Sequence, residues 1–378
     1  MNGAGPARLA VMMAVWGAAL AQPPHAAECH SGEVGGPASR ATVHGLVARA
    51  RQVMGSPLEI LTLVADGQPA ADAVRALDAA LDEVERLDKT LSNWRQDSEL
   101  SALNRAAAAG PVVCSAELFE ILSAAVAAAV STGGAFDPTV EPWVVALGLR
   151  AESDSQGRPP LPLDPPPAGG DLPSLPPRGG SVRLEPGTRR VSFTSADVGV
   201  DLGGIGKGYA LDRAAAVLRA QGIGSALLNF GGQALALGAP PGEKGWIVEV
   251  ADPLDRQRPA LALTLSDASV ATSANTERGV RRGGQWIGHV LDPETGRPAP
   301  FPGSATAVAP DATRADAYAT ALLVMGPERG LTWAEGRDDV AAAYLTPSAG
   351  GQVHVRATSS FERYREAERS SKPERAAR

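Results

Sequence analysis

The chain has 378 residues, 44% hydrophobic and 20% charged, enough apolar material for one large core or two smaller ones. Its formal net charge is −7, and no Lys/Arg-dense run lies beside aromatic residues, which argues against a protein that grips nucleic-acid backbones. The two cysteines, Cys29 and Cys114, form no Cys-x-x-Cys pair and carry no redox motif; in an exported chain they could form one disulfide.

The N-terminus reads MNGAGPARLAVMMAVWGAALAQ. Arg8 precedes an apolar run from Leu9 to Leu20 that is too short to span a bilayer, and Ala19-Leu20-Ala21 supplies a small-x-small cleavage site. Residues 1–21 are therefore expected to be a secretory signal peptide, and Glu28 before Cys29 disfavours a lipid anchor. Residues 22–47 are Gly-, Pro-, Ala- and Ser-rich without periodicity and read as a linker. A strand is predicted at Leu58–Val64. Val74, Leu77, Leu81, Val84, Leu87 and Leu91 recur every three or four positions, so residues 70–91 should be an amphipathic helix. A second helix is expected over Ser115–Val130, with Ser115 as N-cap and a stop before Gly133-Gly134.

Residues 151–180 are dense in Pro and Gly and cannot build a core element, so they read as a surface insertion. Beyond them, strands are predicted at 182–184, 190–193, 226–230, 246–250, 260–265 and 304–308, and helices near 207–221 and 314–325. The pattern is a mixed α+β architecture, a domain from about 48 to 358, followed by a charged tail over 359–378.

Four segments have the composition of sites. Asp201-Leu202-Gly203-Gly204-Ile205-Gly206-Lys207-Gly208 places glycines, which admit close backbone approach, ahead of a helix whose free N–H groups suit a phosphate. It is neither a P-loop, since Gly208 follows the lysine, nor a dinucleotide fingerprint; a tight turn before a helix explains it equally well. Asp316 and Thr320 stand four apart, so their oxygens share one helical face and could hold a hard cation. The alternative is a threonine bonded back to its own helix and an aspartate complementing the dipole. His289 ends a short apolar strand in WIGHVLDPETG, and Asp137 opens a turn in GGAFDPTVEPW; each could be purely structural.

Taken together, eight segments in order resemble the FAD:protein FMN transferases, the ApbE-type flavin transferases: VMGSPLEI, LSNWRQDSELSALN, GGAFDPTVEPWVVALG, DLGGIGKGYALDRAAAVL, LLNFGGQALALG, ASVATSANTERG, HVLDPETGRPAP and ATRADAYATALLVMG, from Val53 to Gly326. The resemblance implies a single T-fold-related catalytic domain that moves FMN from FAD to a Ser or Thr hydroxyl of an exported redox protein, releasing AMP, with Mg²⁺. It further implies metal ligation by Asp316, Thr320 and the Gly204 carbonyl, and a flavin-nucleotide pocket from Met54, Trp94, Ala135, Phe136, Asp137, Asp201, Lys207, Val290 and Leu291. His289 matches the base that takes the hydroxyl proton. Ala274 and Thr276 stand where the family has a glycine and an aromatic. The family also contains enzymes that hydrolyse FAD to FMN and AMP, and a non-catalytic flavin carrier is the third alternative.

Overall fold

In the computed structural model, the residues described are 45–64, 69–149, 181–276, 278–282, 285–348 and 350–366. The expected signal peptide, the linker up to residue 44, Cys29, the insertion at 151–180 and the chain beyond 366 lie outside them. The elements in chain order are β1 (Gly45–Val53), β2 (Ser56–Val64), α1 (Ala70–Leu91), α2 (Glu99–Ala106), β3 (Val112–Val113), α3 (Ala116–Ser131), α4 (Glu141–Ala146), β4 (Val182–Glu185), β5 (Arg190–Phe193), α5 (Gly206–Ala220), β6 (Ala226–Phe230), β7 (Gln233–Leu237), β8 (Trp246–Ala251), β9 (Pro259–Leu265), β10 (Ala268–Ala274), β11 (Gly279–Arg282), β12 (Gln285–Gly288), β13 (Ser304–Ala309), α6 (Ala312–Ala334), β14 (Ala341–Pro347) and β15 (Val353–Ala357). Among the described residues no helix is long and apolar enough to cross a membrane.

Eight strands form one antiparallel sheet in the order β1-β2-β6-β7-β10-β13-β14-β15. Its central strands are apolar on both faces, and side-chain alternation sorts them. Leu58, Ile60, Leu228, Phe230, Leu235 and Leu237 face α1 and α5, whereas Leu61, Leu227, Ala234, Ala236 and Val270 face the β8–β9 hairpin. Alanines at 305, 307 and 309 pack under α6 with Leu322 and Leu323. Small residues there let α6 lie close to the sheet. The helices α1, α5 and α6 cover one face side by side.

The structure differs from the sequence expectation at three boundaries. Residues 45–47, placed in the linker, already belong to β1, where Val47 is the first buried residue. The helix expected to stop at Met325 breaks there, at non-helical Gly326 (φ 70°, ψ 170°), but a second helical run follows from Pro327 to Ala334. The first part of the expected tail is not frayed. Ser359–Tyr364 forms a 3₁₀ turn that inserts Phe361, fully buried, beneath β8–β9, and the Glu366 N–H donates to the Ala262 carbonyl at 2.9 Å. Cys114 is buried, and burial pushes its thiol up to about 11.

Candidate active site

The site is organised by the packing of α5 on α6. Gly208 lies in the first turn of α5, and a Cβ there would stand 2.1 Å from the Ala312 carbonyl oxygen, so only glycine lets the two helix starts meet. Four residues on, and hence on the same face, Asp212 accepts from the N–H groups of Ala312 and Thr313, at 2.8 and 2.9 Å, and from the Thr313 hydroxyl at 2.5 Å. Burial pushes the Asp212 carboxyl up from its ordinary value, against these bonds. Asp212 thus caps α6 from a neighbouring helix and fixes the Gly204–Lys207 loop against Asp316. Asp316 is itself 6% exposed, accepts the Gly208 N–H at 3.0 Å and has Lys207 Nζ 3.5 Å from its other oxygen.

The alternative for Thr320, a hydroxyl bonded back into its own helix, is not what the fold adopts. Ser123, Thr132 and Thr332 each donate to the carbonyl four residues earlier. Thr320 makes no such bond among the described residues; its Oγ instead lies 3.0 Å from the position a Cβ on Gly204 would take. The Gly204 carbonyl also accepts no hydrogen bond among the described residues, because the Gly208 N–H that would close the first helical turn onto it is given to Asp316. A carboxylate, a hydroxyl and a carbonyl therefore gather with acceptor capacity left over, an oxygen set that suits a hard divalent cation. No group of three or more His, Cys, Asp or Glu side chains suited to a metal occurs among the described residues; in the Gly204–Asp316–Thr320 set Asp316 supplies the carboxylate.

These groups line a cleft of about 260 Å³ at one end of the sheet, together with Trp94, Ala135, Phe136, Asp137, Asp201, His289, Val290 and Leu291. Trp94, 58% exposed, stands at its mouth. Asp137 accepts from the Thr139 N–H and hydroxyl at 2.8 and 2.7 Å, so it caps a turn as well as facing the cleft. Asp201 accepts the Gly203 N–H at 2.7 Å and closes the glycine loop. Asn93 and Asn104 both donate to the Val200 carbonyl at 2.9 Å, fastening that loop to α1 and α2. Met54 is the exception among the expected residues: it sits at φ 46° in the β1–β2 turn, packs on the core under α1 and does not line the cleft.

His289 is positioned from two sides. Its N–H and Nδ1 both approach the Arg278 carbonyl, at 3.2 and 3.1 Å. A carbonyl only accepts, so Nδ1 carries the proton and Nε2 is left with a free lone pair. The ring edge stays open to cleft water, yet protein surrounds the imidazole, and Arg278 and Lys207 add positive charge. Enclosure pulls its pKa from 6.5 down to about 4, opposed by the hydrogen bond to the Arg278 carbonyl and helped by the Arg278 and Lys207 charges. The neighbouring Val290 is stapled by Asn275, which accepts its N–H at 2.8 Å and donates to the Val290 and Ala299 carbonyls at 3.0 Å each. Ala274 is buried in the cleft wall, and the Thr276 hydroxyl donates to the Pro253 carbonyl at 3.2 Å.

Sequence reasoning did not single out Arg278, Asn275, Asp212 or Gln233. Arg278 lines the cleft and donates to the Ser56 hydroxyl at 2.7 Å, 222 positions away. Gln233 follows Gly231 and Gly232, whose φ values of 59° and 97° make the two-residue β6–β7 turn and bring the glutamine into the cleft. Asp212 carried a signal, an acidic residue on the otherwise apolar face of α5 shared with Gly208 and Leu211.

An ApbE family profile matches residues 54–345. The chain is 33% identical over 318 residues to a protein of Treponema pallidum named FAD:protein FMN transferase, covering 79% of this chain and 86% of that one. It is 31% identical over 300 residues to a Klebsiella pneumoniae protein of the same name, covering 78% and 81%. Among solved structures it is similar to the ApbE protein of Thermotoga maritima, with a TM-score of 0.70 at 26% identity over 85% of this chain and 100% of that one. The flavin transferase ApbE of Vibrio cholerae gives 0.67 at 27% identity, again over 85% and 100%. With the profile spanning most of the described fold and the glycine loop, the Asp316–Thr320 face and His289 meeting in one cleft, the chain belongs to the ApbE family.

Proposed function

We propose that the protein is a Mg²⁺-dependent FAD:protein FMN transferase that modifies a Ser or Thr hydroxyl of an exported redox protein. The observation that carries this reading is the pairing, in one cleft, of a neutral His289 with a free Nε2 and a cation-ready oxygen set at Gly204, Asp316 and Thr320. Relatives named for this activity support it.

The chemistry needs a hydroxyl deprotonated and a diphosphate held in line. The acceptor oxygen forms a new bond to the FMN phosphorus, the bridging P–O bond breaks, and AMP leaves. Nε2 of His289 takes the hydroxyl proton, which Nδ1 cannot do while it donates to Arg278. Lys207 and the positive end of the α5 dipole draw the diphosphate's negative charge to the loop. Mg²⁺, when bound, would neutralise charge on the bridging diphosphate. Trp94 and the turn over Ala135–Asp137 would hold the flavin nucleotide, with Asp201, Val290 and Leu291 shaping its surroundings. The apolar N-terminus supports export to the periplasm, where the acceptor would be an extramembrane domain of a membrane redox protein.

The test is incubation of the mature chain with FAD, Mg²⁺ and candidate acceptor domains, followed by mass spectrometry of the acceptor. One FMN on one hydroxyl side chain is expected. Free FMN and AMP, formed at the same rate with and without acceptors, would instead make the enzyme an FAD pyrophosphatase. FAD binding without turnover would make it a carrier.

A further inference from the structure

Gln233 holds a polar atom that the fold leaves unpaired. The residue is 3% exposed and lines the cleft; its Nε2 donates to the Ala312 carbonyl at 2.8 Å, while Oε1 is buried and has no hydrogen-bond partner. The amide orientation is fixed by chemistry, because the Ala312 carbonyl accepts and only the nitrogen end can satisfy it. A buried amide oxygen without a donor is costly, so an unpaired one on a residue that lines a cleft marks a place where a guest supplies the donor.

The neighbouring protein donors are committed. The Gly208 N–H is taken by Asp316, and Lys207 Nζ lies 3.5 Å from both the Asp316 carboxylate and the Gly203 carbonyl. The guest's diphosphate offers only acceptors near neutral pH. The donors that remain are a water molecule on a bound cation, an unbound water in the cleft, and, on the guest, its sugar hydroxyls and the N–H groups of its flavin and adenine rings. Location favours the first. Gln233 is anchored on Ala312, one helical turn before Asp316 on the same face of α6, and Ala312 is the residue against which Gly208 packs. A cation with one protein carboxylate and two neutral oxygens keeps several waters, whose polarised protons need acceptors.

We propose that Gln233 is a positioning residue of the cation site, its Oε1 accepting a hydrogen bond from a water on the ion held by Asp316, Thr320 and Gly204. This rests on the cation reading above. The glutamine would turn a three-oxygen site into one that also orients the ion's hydration shell, and outer partners of this kind are typically worth 10–100-fold in metal affinity.

The experiment is titration of the FAD-free full chain with Mn²⁺, followed by electron paramagnetic resonance, for wild type, Gln233→Met and Asp316→Ala. The Met variant keeps length and apolar bulk but cannot accept the bond. It should bind Mn²⁺ about 10-fold or more weakly than wild type while its FAD affinity in EDTA stays the same. Unchanged Mn²⁺ affinity with weakened FAD binding in EDTA would overturn the proposal and give Oε1 to a donor on the guest itself. Wild-type Mn²⁺ affinity in Asp316→Ala would sink the cation reading itself, a result distinct from failure of the glutamine's role. Because Gln233→Met leaves Ala312 without its donor and could unfold the chain, crystals of the unaltered protein soaked in Mn²⁺ give a second measurement. A water bridging the ion and Oε1 is expected, and an ion whose waters all point elsewhere would overturn the proposal.

Discussion

Nδ1 of His289 lies 3.1 Å from the carbonyl oxygen of Arg278, and the Arg278 side chain crosses to Ser56 at 2.7 Å. One residue therefore sets the tautomer of the proposed base and ties it to the β1–β2 turn. With its pKa pulled down to about 4 by enclosure, helped by the Arg278 and Lys207 charges, the imidazole is neutral over the physiological range.

A pH dependence follows, with a definite sign. The free enzyme loses its base only when His289 protonates, so the acid limb of kcat/KM should fall well below pH 6.5. Substituting Lys207→Met removes a cation and favours the protonated ring, which should move the limb, and the His289 NMR titration, to higher pH. A shift to lower pH would contradict the electrostatic account. The same shift bears on stability. The folded pKa lies below the ordinary 6.5, so the unfolded chain takes up the proton first, and stability is lost as pH falls from 6.5 toward 4.

Replacing Asp316 by Ala removes the only carboxylate of the oxygen set and should lower kcat/KM by about 10²–10³-fold at saturating Mg²⁺. Thr320→Val should behave differently. It deletes one neutral ligand of nearly the same shape, so raising Mg²⁺ should restore much of the rate. Activity measured against Mg²⁺ concentration separates the two, and a Thr320→Val enzyme indifferent to Mg²⁺ would show that the hydroxyl does not face the ion.

Gly208→Ala tests the packing of α5 on α6. The added methyl would stand 2.1 Å from the Ala312 oxygen and 2.9 Å from the Thr313 Cα, both backbone, so neither can swing aside as a side chain would. Overpacking of this kind costs about 1–3 kcal/mol, which denaturant unfolding would detect. Parting the helices would also pull Asp316 away from Lys207, so activity should fall further than stability. An alanine variant of full activity would mean that the site tolerates separation of the two helices.

Much of this fold was legible because its periodicity is strong. The stripe from Val74 to Leu91 marks α1 at its observed ends, Ala70 and Leu91. Strands β10 and β14 were not: ASVATSA is built from small residues and AAAYLTP opens on three alanines, and both are buried on both faces, so neither shows the alternation that marks a half-buried strand. The site divides along the same line. Lys207, Asp316 and Thr320 stand out because they share a local helix or loop with glycines or with each other. Arg278, Asn275 and Gln233 act across 15 to 222 positions of chain, through bonds that only the assembled sheet creates.

Phe361 makes the last prediction, because the charged composition of the C-terminal segment hides it. The ring is fully buried against Leu263 and the β8–β9 hairpin, and its turn is held by the Phe361 N–H on the Thr358 carbonyl at 3.0 Å and by the bridge from Arg365 to Leu263. Truncating a buried phenylalanine to alanine typically costs 3–5 kcal/mol. Phe361→Ala should therefore lower the denaturant midpoint strongly, although every proposed site residue lies on the helical side or at the cleft end of the sheet. Where the variant remains folded, its kcat/KM should stay near that of the parent. A chain ending before Ser359 should be at least as destabilised, since it also loses the Arg365 bridge. If that truncated chain unfolded at the same denaturant concentration as the full one, the segment would be an accessory to the domain, and the hydrophobic layer beneath β8–β9 would have to be complete without it.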